Sequence, residues 1–131
     1  MKLGYNTGYW SAGPPAGAAE AVKQADALGY DSLWTAEAYG SDALTPLAWW
    51  GAQTERIRLG TGIVQISART PAATAMAAVT LDHLSNGRAF MSICLGETAP
   101  MPAGVIGAGA GPSGEIAVGD VAPAGCVISG L

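Results

Sequence analysis

Two Thr-Pro pairs, Thr45-Pro46 and Thr70-Pro71, sit between apolar runs too short to be helices, and this alternation restricts the fold more than any other feature of the sequence. A threonine oxygen accepts from the free amides of a helix N-terminus, and proline is tolerated at the first helical position because its missing N–H would be unpaired there. The segment after the first pair carries Leu47, Trp50 and Thr54 on one side, and the segment after the second carries Ala72, Met76 and Val79 and extends to about Leu84. An earlier stretch, Ala18 to Leu28, places Ala18, Val22, Ala25 and Leu28 on one helical face, with Gly29 where a C-terminus favours positive φ. Strand-like runs separate these helices: Lys2–Tyr9, Tyr30–Thr35, Arg58–Ile66 and, after the break at Ser85-Asn86-Gly87, Ala89–Leu95.

Antiparallel neighbours can be joined by tight hairpins, so helix-sized crossovers imply a parallel sheet with covered faces. Two α/β architectures fit: an open doubly wound sheet, or the N-terminal half of an eight-stranded (β/α) barrel. The 131 residues are enough for one core. A net charge of −4 and only six basic residues, none after Arg88, argue against nucleic acid and anionic membrane surfaces as partners. No run approaches the roughly 20 apolar residues of a membrane helix. The strand-like start at Met1-Lys2-Leu3 leaves no room for a signal peptide, so the expected location is the cytoplasm. Cys94 and Cys126 lack CxxC spacing and metal-ligand company; a reduced pair is expected, with a disulfide left open.

The run from Arg58 to Ile66 carries Gly60 and Gly62 inside an otherwise strand-like sequence. Glycine in a strand marks a bulge or a close approach by ligand or backbone, although a tightly packed buried strand also accommodates it. Glu37 lies in the loop after the second strand, where an exposed acid is ordinarily just solvated. His83 suits a helix end, Trp49 and Trp50 suit core and rim, and Arg69 is either solvated or a phosphate contact.

The ordered series Leu28-Gly-Tyr-Asp-Ser-Leu-Trp34, Arg58-Leu-Gly-Thr-Gly-Ile63, Thr70-Pro71 and Leu81-Asp-His-Leu-Ser-Asn-Gly-Arg88 resembles the N-terminal part of the luciferase-like flavin and deazaflavin oxidoreductases, most closely the coenzyme F-420 branch. The resemblance implies a TIM barrel with the cofactor, F-420 or alternatively FMN, at the C-terminal strand ends, and hydride transfer to or from a small organic substrate. It further implies a bulge with a non-prolyl cis peptide between Gly62 and Ile63, with Val64 beside it, backing the cofactor ring. It makes Glu37 and Glu97 the candidate catalytic acids. Ala38 stands where relatives often carry His after the acidic residue, and Ser92 and Cys94 stand where they carry glycines.

The resemblance covers Met1 to Arg88, so the expected division is a partial barrel over 1–97 and a Gly/Ala/Pro-rich, non-family tail over 98–131. A complete barrel needs about 250 residues. The chain is therefore read either as a truncated or frame-disrupted product or as a half-barrel that pairs with another copy. In the tail, Gly109-Ala-Gly-Pro-Ser-Gly114 matches a dinucleotide-binding pattern, yet no helix-forming run follows it and Asp120 comes too early for the ribose acid.

Overall fold

The computed structural model describes residues 1–10, 13–37, 40–94, 108–110, 116–118 and 126–130. Strands and helices alternate through the first part of the chain: β1 (Gly4–Asn6), α1 (Ala18–Ala27), β2 (Ser32–Ala36), α2 (Leu44–Gly51), β3 (Arg58–Gln65), a 3-10 turn (Ile66–Ala68), α3 (Pro71–Leu84) and β4 (Ala89–Cys94). Three short strands follow, β5 (Ala108–Ala110), β6 (Ile116–Val118) and β7 (Cys126–Gly130). The main sheet has the order β1-β2-β3-β4-β7, and its first three pairings are parallel. Each new strand of the parallel set is added on the same side of the last, without the reversal of a doubly wound sheet, which is the progression of a (β/α) barrel.

β7 runs antiparallel along β4, and β5 and β6 form a separate antiparallel pair. The dinucleotide-like glycine pattern therefore begins in a strand, and Ile116–Val118, where that motif requires a helix, is another strand.

The core lies on the helix-covered face of the sheet. Val22, Leu33, Leu47, Ile57, Leu59 and Val64 are fully enclosed there, joined by Trp50, Leu81 and Met91. One residue along from Leu33 and Met91, Trp34 and Phe90 point to the other face, as strand alternation requires, and meet edge-to-face at 4.7 Å. Gly60 lies between them in the sheet: a Cβ there would come within 2.3 Å of the Phe90 ring.

The helix boundaries follow from local chemistry. Thr70 Oγ1 accepts from Ala73 N, and Pro71 opens α3. Gly29, at φ 80°, ends α1 with its N–H on Asp26 O while Tyr30 N reaches Ala25 O, a Schellman pair. Asn86 and Gly87, at φ 57° and 76°, end α3 in the same way, on His83 O and Asp82 O.

Four expectations need correction. Thr45 does not cap α2; that helix begins at Leu44, and the carboxylate of Asp42 accepts from both Thr45 N and Thr45 Oγ1. Leu28 is exposed, because α1 has ended and the chain is already turning. α3 buries Thr74, Ala78 and Leu81, whereas Ala72, Met76 and Val79 are exposed. That helix is rich in alanine, so its apolar pattern leaves its rotation undetermined, and the small side chains fit its packing against α2 and β4. Finally, the described residues contain no cis peptide bond, at Gly62–Ile63 or elsewhere. A bulge built from trans peptides takes up the extra residue, without the roughly 3–4 kcal/mol that a non-prolyl cis bond costs.

Arg88 ties the helix layer to the sheet. Its guanidinium donates to Ser85 O, Ile57 O, Gly51 O, Thr54 O and Thr54 Oγ1. It thereby closes the end of α2, the turn after it and the end of α3 with one planar group. Asp26 does the complementary job with a carboxylate, accepting from Glu55 N, Arg56 N and Ile57 N.

Candidate functional site

The bulge is visible from both neighbours of β3. Against β2, Thr35 pairs with Thr61 and Ala36 with Ile63, so Gly62 is passed over. Against β4, Gly60 pairs with Phe90 and Val64 with Ile93, four steps along one strand facing three along the other. Glycine suits the extra position: a Cβ on Gly62 would lie 3.1 Å from Thr35 O, tighter than an ordinary contact, and 3.5 Å from Ala36 Cβ.

A reciprocal clasp holds the slipped ladder together on the β4 side. Thr61 Oγ1 donates to Ser92 O at 3.0 Å and accepts from Ser92 N at 2.8 Å, while Ser92 Oγ donates to Thr61 O. Both side chains are buried. The hydroxyls replace the strand-to-strand bonds that the bulge displaces, so no buried backbone group of Ser92 is left without a partner. The pairing was not legible in the sequence, where Ser92 stood out only as a departure from the relatives' glycine, because an isolated Thr and Ser in apolar strands carry no signal of register.

Beyond the bulge, Val64 returns its side chain to the core, so only its backbone is available at the strand end. Gly62 and Ile63 are partly exposed. Glu37, directly after β2, packs against this end of β3. Its N–H donates to Ile63 O at 3.0 Å, and its carboxylate accepts from Gln65 N at 2.7 Å and from Arg69 Nη2 at 2.6 Å. It is only 7 % exposed, so it is not a solvated loop residue. Arg69, read from sequence as solvated or phosphate-binding, is instead the counter-charge of Glu37. Its Nε is buried and has no hydrogen-bond partner among the described residues.

These groups converge on one rim, the C-terminal ends of β2 and β3, where open α/β sheets and barrels place ligands. A kinked backbone and a buried, hydrogen-bonded carboxylate give this rim a fixed polar surface. Both carboxylate oxygens of Glu37 are engaged with protein donors, which fits a positioning group better than a free proton carrier. Glu97 and Ala38 lie outside the described residues. Cys94, the last residue of β4, is the register partner of Gln65.

A further cavity lies outside the bulge, toward the same strand ends. A cleft of about 660 Å³ opens between the N-terminal ends of α1 and α2, walled by Trp10, Trp49, Trp50 and Pro46. It includes none of the bulge residues. The shifted carboxylates mark the structural end of the sheet. For Asp26, burial raises the pKa, but the amides of Glu55, Ile57 and Arg56 together with the Arg56 charge outweigh it and hold it below the usual carboxylate range. Asp31, before β2, is lowered by its bond to Arg58 and by Lys2, against a smaller desolvation effect. Among the described residues there is no cluster of potential metal ligands, and no helix is long and apolar enough to cross a membrane.

The fold and the rim thus define a partial (β/α) barrel with its candidate site at the C-terminal strand ends. The chain belongs to the luciferase-like monooxygenase family, whose sequence pattern matches residues 2–111. It is 60% identical over 93 residues to a Mycobacterium tuberculosis protein assigned as a coenzyme F-420-dependent oxidoreductase, covering 71% of this chain and 27% of that one. The coenzyme F-420-dependent tetrahydromethanopterin reductase of Methanopyrus kandleri superposes with a TM-score of 0.64 at 28% identity, over 73% of this chain and 27% of its own. A type II Baeyer-Villiger monooxygenase from Pseudomonas putida, solved with FMN, shares the fold with a TM-score of 0.65 at 23% identity, over 73% and 30%. The chain spans between a quarter and a third of the length of these three proteins.

Proposed function

We propose that this chain is the N-terminal portion of an oxidoreductase that passes a hydride between deazaflavin coenzyme F-420 and a small organic substrate, with FMN as the alternative cofactor. The observation that carries the reading is the Gly62 bulge braced by the buried Glu37–Arg69 pair on the C-terminal rim. The high identity to an F-420-assigned relative supports the deazaflavin over the flavin. When bound, the deazaflavin supplies the hydride-accepting and hydride-donating ring carbon.

The backbone of Gly62, Ile63 and Val64 provides the surface behind the ring. Glu37 holds that surface in place through Gln65 N, and Arg69 supplies the charge that keeps the Glu37 carboxylate there. Glu97 is the further acidic group in this proposal. A second reading, a half-barrel that functions as an assembly unit with another copy, rests on β1, an edge of the main sheet that among the described residues pairs only with β2, whereas β7 already covers the β4 edge.

Titrating the purified full chain with reduced F-420 and with FMN, while measuring its mass in solution, separates the two. Saturable F-420 binding that weakens at least tenfold in Glu37→Gln supports the proposal. Absence of binding by either cofactor to a monodisperse species refutes the cofactor site in this chain and leaves assembly.

A further inference from the structure

Cys94 and Cys126 are the two cysteines of the chain, and the sheet sets them directly opposite one another. The antiparallel register of β4 and β7 runs from Phe90 opposite Gly130 through Ile93 opposite Val127 to Cys94 opposite Cys126. Directly opposed residues of an antiparallel pair have Cα and Cβ separations of about 4.5–5.5 Å and occupy the same face. A disulfide spans Cα separations of about 4.4–6.8 Å and draws the Cβ atoms to about 3.5–4.5 Å, the short end of the cross-strand range. We propose that this register makes Cys94 and Cys126 a thiol pair that closes to an intramolecular disulfide under oxidising conditions, clipping the C-terminal strand onto the edge of β4.

The clip has a consequence for the rim. β4 at Cys94 pairs with β3 at Gln65, whose amide is held by Glu37, so the closed pair fixes the strand end beside the candidate site. The reaction needs a two-electron oxidant, and glutathione disulfide serves. One thiolate attacks it, releasing one glutathione thiolate and forming a mixed disulfide; the second cysteine displaces the other glutathione. The protein loses two protons and two electrons, and one glutathione disulfide becomes two thiols. In a reducing glutathione pool the pair stays open, so its state follows the redox poise of the solution.

The full chain, equilibrated with glutathione buffers of graded ratio and quenched with iodoacetamide, tests this by mass. Glutamyl endopeptidase cuts after Glu55, Glu97 and Glu115, separating the cysteines onto peptides 56–97 and 116–131. The expected result is a monomer 2 Da lighter whose two peptides remain joined until reduced. A second variant distinguishes register from mere tethering: Cys126→Ser with Val127→Cys moves the thiol by one residue, to the opposite face of the strand. Its closure is expected to be at least tenfold slower than wild type. Thiols that stay free, glutathione adducts on separate cysteines, linkage confined to dimers, or equal closure rates for the two chains would each overturn the pairing.

Discussion

Replacing Thr61 with valine removes one hydroxyl and almost no volume, and the consequence can be worked from the clasp at the bulge. Thr61 Oγ1 bonds both the carbonyl and the amide of Ser92, and its side chain is 1 % exposed. Valine fills the same space, so no cavity term arises; what is lost is the partner of two buried backbone groups. Each such group costs about 1–3 kcal/mol when left unpaired, which puts Thr61→Val at about 2–4 kcal/mol less stable after partial relaxation. Thr61→Ser keeps both bonds and sacrifices one buried methyl, for about 1 kcal/mol. The expected order of stability is wild type, then serine, then valine. If the site were valued for apolar packing, valine would equal or exceed wild type and serine would be worst. Urea unfolding followed by tryptophan fluorescence, with Trp50 in the core as a reporter, reads the order directly. A valine variant within about 0.5 kcal/mol of wild type would show that the clasp does not hold the bulge, given that ordinary surface changes fall in that range.

Gly60→Ala drives a Cβ into the Phe90 ring, so it should lower stability by about 1–2 kcal/mol, and pairing it with Phe90→Ala should remove most of that extra cost in a double-mutant cycle. Arg88→Lys replaces five planar donors with three on a point charge, leaving carbonyls among Gly51, Thr54, Ile57 and Ser85 without partners. Its denaturation midpoint in urea should fall by an amount worth about 2–3 kcal/mol, and an unchanged midpoint would count against the anchoring role. Asp26 has a folded pKa below its unfolded one, so its contribution is complete above the unfolded value and fades as pH falls from about 5 through the folded value. Asp26→Asn should flatten the acid side of the stability–pH curve, and an identical slope in both proteins would refute that assignment.

Much of the fold was legible because its signals are local. The Thr70-Pro71 start of α3, the Gly29 stop of α1 and the Asn86-Gly87 stop of α3 each act within a few residues of backbone, where hydrogen bonds and allowed φ are settled by the residues themselves. The strand-like run of β3 with its inserted glycines announced an irregularity, and the bulge lies at Gly62. The rotation of α3 was not legible, since an alanine-rich helix presents nearly equivalent faces until neighbours choose one. Asp42 stands at the start of α2 instead of Thr45 because the helix begins one residue before Thr45, so that the Thr45 amide and hydroxyl both donate to the Asp42 carboxylate.

The candidate site divides in the same way. Sequence alone determined the alternation of strands and helices from β1 to β4 and the presence of an acidic residue after β2, because each depends on neighbours along the chain; the three strands after β4 and the close approach of β2 to Gly62 did not follow from it. Tertiary structure alone decided that Glu37 is buried on Arg69 and Gln65, that Thr61 and Ser92 clasp the bulge, and that Cys94 is in register with Cys126. Those pairs join residues far apart in the chain, and their energy exists only once strand register brings them within reach.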